Sequence, residues 1–387
     1  MSGLFDWIDD ELGLLKEQGL HRALRQVAGA PAPEMRAEGR QVIQFASNNY
    51  LGLSTHPRVI KAAQDALARF GSGAGASRLI NGSQAVTHEL EAELARHKGA
   101  EAALVFATGS MANLGLLQAL AGEGDLIVLD KLDHASLYDG ARLSGAEVSR
   151  FPHADLGRLG SILQGWTGSG RKFVAVEAVY SMEGDIVDLP ALLELCGRQG
   201  AALLVDEAHS TGVLGGTGRG ILEHYGVKGW PAGLILAGTL SKALASLGGY
   251  VAGPRKLIDY LVNRSRPFIF ATALPASCSA AALEALRVLE EEPEHLRRLW
   301  SNRRQLATGL TGQGWSIGPS QSPILPLLIG SAGGALQLQA RLWDAGYFAP
   351  AIRPPTVPAG ACRLRLSVGA AHQPEQIAAF LQALGAP

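Results

Sequence analysis

The chain has 387 residues, 47% of them hydrophobic and 18% charged, and its 34 Lys+Arg balance 35 Asp+Glu. That composition excludes a disordered chain, and a near-zero net charge without a basic stripe speaks against a nucleic-acid binder. Three cysteines (Cys196, Cys278 and Cys362) stand too far apart for a metal cage and point to a reducing compartment. The 48 glycines follow no fixed period, which excludes collagen. They fall between apolar runs, where tight turns and close backbone approaches need them. The N-terminal stretch MSGLFDWIDDELGLLK carries acids before any base, unlike a targeting peptide. The longest weakly charged segment, Gly229 to Pro254, is broken by glycines, hydroxyls and Lys242, so no membrane span is expected. The expectation is a cytoplasmic enzyme.

In chain order, residues 4–28 have the apolar spacing of one or two amphipathic helices, with Leu4, Ile8, Leu12 and Leu15 on one face, before the turn APAPE. A strand at 41–53 runs into SNNYLG. From there helices and strands alternate: helix 57–70, a glycine-rich loop 71–83, helix 84–98, strand 102–106, helix 111–121 and strand 125–129. The pattern continues with helix 135–144, strand 147–151, helix 155–164, strand 173–178, helix 189–198 and strand 201–205. Such alternation predicts an α/β fold with a mostly parallel sheet wrapped by helices. The strands AALVF, LIVLD, FVAVE and ALLLV are near-continuous apolar runs, as strands covered on both faces should be. Composition shifts at Pro275, after which helices 276–290 and 294–312, strands near 324–329 and 363–368 and helix 374–384 predict a smaller α/β domain. The expected organisation is a helical arm and strand over 1–50, a large domain over 51–275 and the small domain over 276–387.

Ligands of an open parallel sheet bind beyond the carboxyl ends of its strands. Strand 201–205 ends in Asp206-Glu207-Ala208-His209. An acid there can hold a cation or a protonated ring nitrogen, or simply cap the next turn. The same four residues occur in nucleic-acid helicases, but that reading needs a phosphate loop ending Gly-Lys, and the chain contains no such dipeptide. Lys242 is the only charged residue between Gly229 and Pro254. Among small and apolar neighbours its amine should deprotonate readily and become nucleophilic, as a Schiff-base lysine requires; the alternative is a lysine that snorkels to water. Its setting between Thr239, Ser241 and the pair Gly248-Gly249 favours the first. Strand 102–106 runs through Ala107-Thr108-Gly109-Ser110 into a helix, whose first amides form a phosphate site. The loop FGSGAGASRLINGS follows a helix and not a strand, so a dinucleotide fingerprint is poorly supported. His134, Glu177 and Ser181 also follow strand ends. The convergence of Gly109, His134, Ser181, Asp206, His209 and Lys242 at carboxyl ends is the strongest signal.

These residues resemble the fold-type I pyridoxal-phosphate enzymes, and among them the α-oxoamine synthase family. The likeness runs through FASNNYLGLS (45–54), DHASLYDGARLSGA (133–146), VEAVYSMEGD (176–185), LLVDEAHSTGVLGGTGRG (203–220), TLSKALASLGGYVAG (239–253) and AIRPPTVPAGACRLRLSVGAAH (351–372). It implies a large domain with a mostly parallel seven-stranded sheet between helices, a smaller α/β domain, a homodimer, and pyridoxal 5'-phosphate as cofactor. Lys242 would form the Schiff base and move the amino-acid Cα proton, and Asp206 would hold the pyridine nitrogen. His134 would stack on the ring, with His209 and Ser181 near its hydroxyl. The amides of Gly109 and Ser110 and the Thr239 hydroxyl would hold the phosphate, and Thr272 would reach the phosphate of the neighbouring subunit. Arg365 would pair the amino-acid carboxylate and Arg22 the distal carboxylate of the acyl chain, while Asn48 and Thr356 would line the substrate site. The stretch Ile352-Arg353-Pro354-Pro355-Thr356-Val357-Pro358 is most similar to the family members that join L-alanine to pimeloyl-CoA or a pimeloyl carrier protein in biotin synthesis. Ser110 departs from the aromatic residue usual after the glycine of the phosphate turn; a backbone donor survives that change. Rival readings are a relative using glycine or serine with another acyl-CoA, and a non-catalytic subunit of the same fold, which would be expected to lack the lysine.

Overall fold

The computed structural model describes residues 3–387. The chain divides into two compact units, one of residues 48–181 and 185–299, the other of residues up to 47, 182–184 and 300–387.

The first unit is built on a seven-stranded sheet of β1 (Ala102–Phe106), β2 (Leu126–Asp130), β3 (Glu147–Phe151), β4 (Lys172–Glu177), β5 (Ala201–Asp206), β6 (Leu234–Thr239) and β7 (Gly249–Gly253), in the order β1-β7-β6-β5-β4-β2-β3. β2 to β6 pair in parallel, while β7 pairs antiparallel with both β1 and β6. Every residue of β1, β2, β6 and β7 is buried, the reason β1 and β2 read as near-continuous apolar runs. On one face Leu104, Phe106, Ile127, Leu129 and Ile235 form a core with Leu116 and Leu117 of the helix Gly109–Leu120 and Ile258 and Leu261 of the helix Arg255–Arg264. Strand β7 was not anticipated from sequence. Glycines at both its ends and small residues make its stretch look like loop, and only cross-strand pairing on both sides holds it extended.

The helices α1 (Pro57–Phe70), α2 (Ala85–Lys98), α3 (Gly109–Leu120) and α4 (Ala135–Ser144) fall where the apolar spacing places them, within two residues. The unit boundary, expected at Pro275, lies after Leu299. The physical reason is α5 (Ala276–Glu291), which buries ten side chains within the first unit. Its Ser279 hydroxyl meets Thr87 of α2 at 2.9 Å, and its Glu284 accepts from Arg58 of α1 at 2.8 Å.

In the second unit a three-stranded antiparallel sheet joins Ile324–Gly330, Cys362–Ser367 and Ala351–Ile352. A four-stranded sheet joins Val27–Ala28, Glu34–Ala37, Arg40–Gln44 and Tyr347–Phe348. Phe45, Leu306, Leu325, Leu364, Leu366 and Phe380 are fully buried in its core. The excursion 182–184 belongs here because Arg363 donates to the Met182 carbonyl and to Glu183, each at 2.9 Å. The N-terminal helix is shorter than its apolar spacing suggested. It spans Asp6–Glu17 and stops where Gly19 adopts φ +66°, after which residues 20–26 are not helical.

Candidate active site

A cavity of about 310 Å³ opens at the carboxyl ends of the strands in the first unit. Its lining includes Gly109, Ser110, His134, Asp206, His209, Thr239 and Lys242, all expected from sequence, and also Asn113, Ser136 and Glu177.

The floor at one end is the turn after β1. The Thr108 hydroxyl caps α3 by accepting from the Met111 amide at 3.1 Å. The Gly109 and Ser110 amides then fall in the first helical turn, where no backbone acceptor within the helix can reach them. The antiparallel direction of β7 brings its first residue beside Phe106 and Thr239, at the ends of β1 and β6. That residue is Gly249, and a Cβ there would lie 2.4 Å from the Thr108 carbonyl oxygen and 2.6 Å from the Gly109 Cα. Glycine at this position lets the turn settle onto the sheet. Thr239 donates to the Gly248 carbonyl at 2.9 Å and meets the Ser241 hydroxyl at 2.7 Å. Amides, two hydroxyls and a helix N-terminus make this end a receptor for an anion.

The opposite chemistry surrounds Asp206, at the end of β5. One carboxylate oxygen accepts from the Ala208 amide at 2.8 Å and the other from Asn113 Nδ2 at 2.7 Å. Asn113 Nδ2 also donates to the Ser136 hydroxyl at 3.0 Å, which lies 2.8 Å from His134 Nδ1. The Ser136 amide donates to the same Nδ1 at 3.2 Å, so the neutral ring carries its proton on Nε2. Glu177, at the end of β4, takes the backbone amides of His134 and Ser181. Burial, reinforced by the charge of Asp206, pushes its carboxyl up to about 8, against the pull of Lys242. Asp133 is held well above the usual carboxylate range by burial and by Glu177 and Asp130.

Lys242 lies beyond β6, and its Nζ is 2.7 Å from His209 Nε2. His209 Nδ1 is 2.8 Å from the hydroxyl of fully buried Tyr50, which in turn donates to Asn48 Oδ1 at 3.2 Å.

The remaining expected residues lie elsewhere. Ser181 meets the site through its amide to Glu177, and Asn48 through Tyr50. Thr272 is exposed, paired with Ser77 in an isolated bridge and bordering a separate small cavity with Arg78. Arg22, Thr356 and Arg365 belong to the second unit. There Arg22 donates to the Pro354 carbonyl at 3.1 Å and lines an open groove with Arg25 and Arg353. Arg365 is buried and donates to Ser367 at 2.9 Å, and Thr356 is exposed on a turn. Sequence reasoning missed Asn113 and Tyr50. Asn113 stands four residues after Gly109 on the same helix face, a spacing that could have revealed it; Tyr50 lies in an irregular turn with no periodic signal.

Pyridoxal 5'-phosphate fits these residues. It needs an anion receptor, an acid for its ring nitrogen and an amine for its aldehyde, and the cavity presents all three. Buried Asn113 Oδ1 and Glu177 Oε1 lack hydrogen-bond partners within the protein and mark the wall as one made for a polar group. Fold and site together define a pyridoxal-phosphate-dependent enzyme of fold type I.

The chain belongs to the aminotransferase class I and II family, whose model matches residues 40–384. It is 46% identical to the 8-amino-7-oxononanoate synthase of Anaeromyxobacter dehalogenans, over 99% of this chain and 96% of that protein. The structure is similar to that of a serine palmitoyltransferase from S. paucimobilis with PLP and myriocin bound, with a TM-score of 0.91, 35% identity, and coverage of 98% and 96% of the two chains. The 8-amino-7-oxononanoate synthase of Francisella tularensis matches with a TM-score of 0.77 and 29% identity, over 89% of this chain and 96% of that one.

Proposed function

We propose that this protein joins L-alanine to a pimeloyl thioester, on CoA or on a carrier protein, with loss of carbon dioxide and release of 8-amino-7-oxononanoate for biotin synthesis. The observation that carries this reading is Lys242, held at 2.7 Å by His209 in a cavity that also presents Asp206, in a chain similar over nearly its whole length to enzymes of that name. When bound, pyridoxal phosphate supplies an aldehyde for the amine and a ring that accepts the electron pair released at the amino-acid Cα.

The protein's own groups divide the work. Lys242 would hold the cofactor and move the amino-acid Cα proton. Asp206, fixed by Asn113 and the Ala208 amide, keeps the ring nitrogen protonated. His134 would lie against the ring face, with His209 and Ser181 near its hydroxyl. The Gly109 and Ser110 amides and the Thr239 hydroxyl hold the phosphate, with Thr272 serving the second protomer of a homodimer. Arg365 pairs the alanine carboxylate, Arg22 the far carboxylate of the pimeloyl chain, and Asn48 and Thr356 line the substrate path.

A second reading, serine with a long-chain acyl-CoA, is favoured by the structural likeness to serine palmitoyltransferase. Thiol release by the PLP-loaded protein separates the two. L-alanine, glycine or L-serine is paired with pimeloyl-, acetyl-, succinyl- or palmitoyl-CoA, and pimeloyl carrier protein serves as a further donor. Release chiefly with alanine and a pimeloyl donor is expected; preference for serine and palmitoyl-CoA would overturn the substrate assignment.

A further inference from the structure

Asn48, Tyr50, His209 and Lys242 form one hydrogen-bonded line within the first unit. Asn48 Oδ1 is an acceptor, so the single Tyr50 hydroxyl proton is spent on it at 3.2 Å. With that proton on Asn48, the Tyr50 oxygen, 2.8 Å from His209 Nδ1, is matched to the imidazole tautomer that carries its proton on Nδ1. In that tautomer Nε2 presents its lone pair to Lys242 Nζ, 2.7 Å away. Tyr50 is 1% exposed and His209 5%, so water cannot readily substitute for either partner.

We propose that Tyr50 is a positioning residue that acts through His209. Its hydroxyl locks the imidazole in the tautomer whose Nε2 accepts from the Lys242 nitrogen, and so favours the protonated form of that nitrogen. A hydrogen bond to the charged form raises the pH at which the proton leaves. Asp206, Glu177 and His134 border the same cavity as this nitrogen and stay in place when Tyr50 is changed. The proposal rests on Lys242 being the cofactor-linked amine, and extends that reading to a side chain outside the cavity lining.

The test is Tyr50→Phe, which keeps the buried ring and removes only the hydroxyl. In the PLP-loaded full-length protein, the pH midpoint of the cofactor's visible absorbance should fall by about one unit. The amino-acid kcat should fall by about tenfold, with KM changed less than about twofold. In a His209→Asn background, adding Tyr50→Phe should move neither the midpoint nor kcat. A midpoint unmoved by Tyr50→Phe, or an equal shift with and without His209, would overturn the proposal. The titration uses no acyl donor. A protein that rejects alanine with pimeloyl thioesters yet shows the shift would lose the substrate assignment and keep Tyr50; the converse would remove Tyr50 alone.

Discussion

Asn113 and Asp206, 93 residues apart in the chain, meet at 2.7 Å. The amide projects from the first turns of α3 and the carboxylate from the end of β5, so two elements with separate reasons to exist converge on one bond. Its donor then continues to Ser136 and His134. Replacing Asn113 with Ala should leave Asp206 with the Ala208 amide alone. The expected outcome is a PLP dissociation constant raised by roughly tenfold or more, about 1.4 kcal/mol for a charge-assisted bond, with the fold retained. Equilibrium dialysis of PLP beside far-UV circular dichroism checks this; unchanged affinity would remove Asn113 from the site.

Gly249→Ala tests the packing that seats the turn after β1. The new methyl meets backbone atoms of Thr108 and Gly109 that cannot rotate away. The turn must lift, and PLP affinity should fall with a loss of about 1–3 kcal/mol in stability. A crystal structure or PLP titration showing an undisturbed turn would contradict the argument.

Beside Asp206, Glu207 forms an ion pair with Lys98 at 2.6 Å, both side chains fully buried. Lys98 also donates to Thr211 at 2.8 Å and to the Arg219 carbonyl at 2.7 Å. Burial lowers the Lys98 pKa, while Glu207 restores part of its charge. Lys98→Met should strand the carboxylate and cost about 3–5 kcal/mol, and adding Glu207→Gln should recover part of that loss. Chemical denaturation of the two variants decides the matter.

His153 bridges Asp130 at 3.1 Å and Asp185 at 2.9 Å. Burial opposes its charge, but hydrogen bonds to both carboxylates outweigh it and raise its pKa from 6.5 to about 10. A raised folded-state pKa means stability that is fully present below pH 6.5 and is lost as pH rises through about 10. His153→Gln should therefore lower Tm by several degrees at pH 7, about 1–3 kcal/mol. The gap to wild type should narrow toward pH 10, and a gap that widens instead would reverse the assignment.

Most of the site was legible because strand ends carry chemistry. Asp206, Lys242, His134 and Gly109 each follow an apolar run, and local pattern alone puts such residues at the mouth of a parallel sheet. Tyr50 and Asn113 were missed for different reasons. Tyr50 acts from an irregular turn, and Asn113 sits inside a helix where an amide looks unremarkable until its partner arrives from β5. Strand β7 and the boundary after Leu299 were hidden for a third reason, since neighbours distant in sequence decide both.

The alternation of apolar runs and amphipathic spacings by itself determined the α/β class, the helices α1 to α4 and the chemical character of the strand ends, because burial on a pleated strand or a helical face imposes its period locally. Only the tertiary structure decided which side chains touch. The antiparallel insertion of β7 places Gly249 beneath the turn after β1, and the packing of α3 against the sheet delivers Asn113 to Asp206. The turn at Tyr50 sets His209 against Lys242. Hydrogen bonds act over about 3 Å, and distances that short between remote residues are fixed by packing.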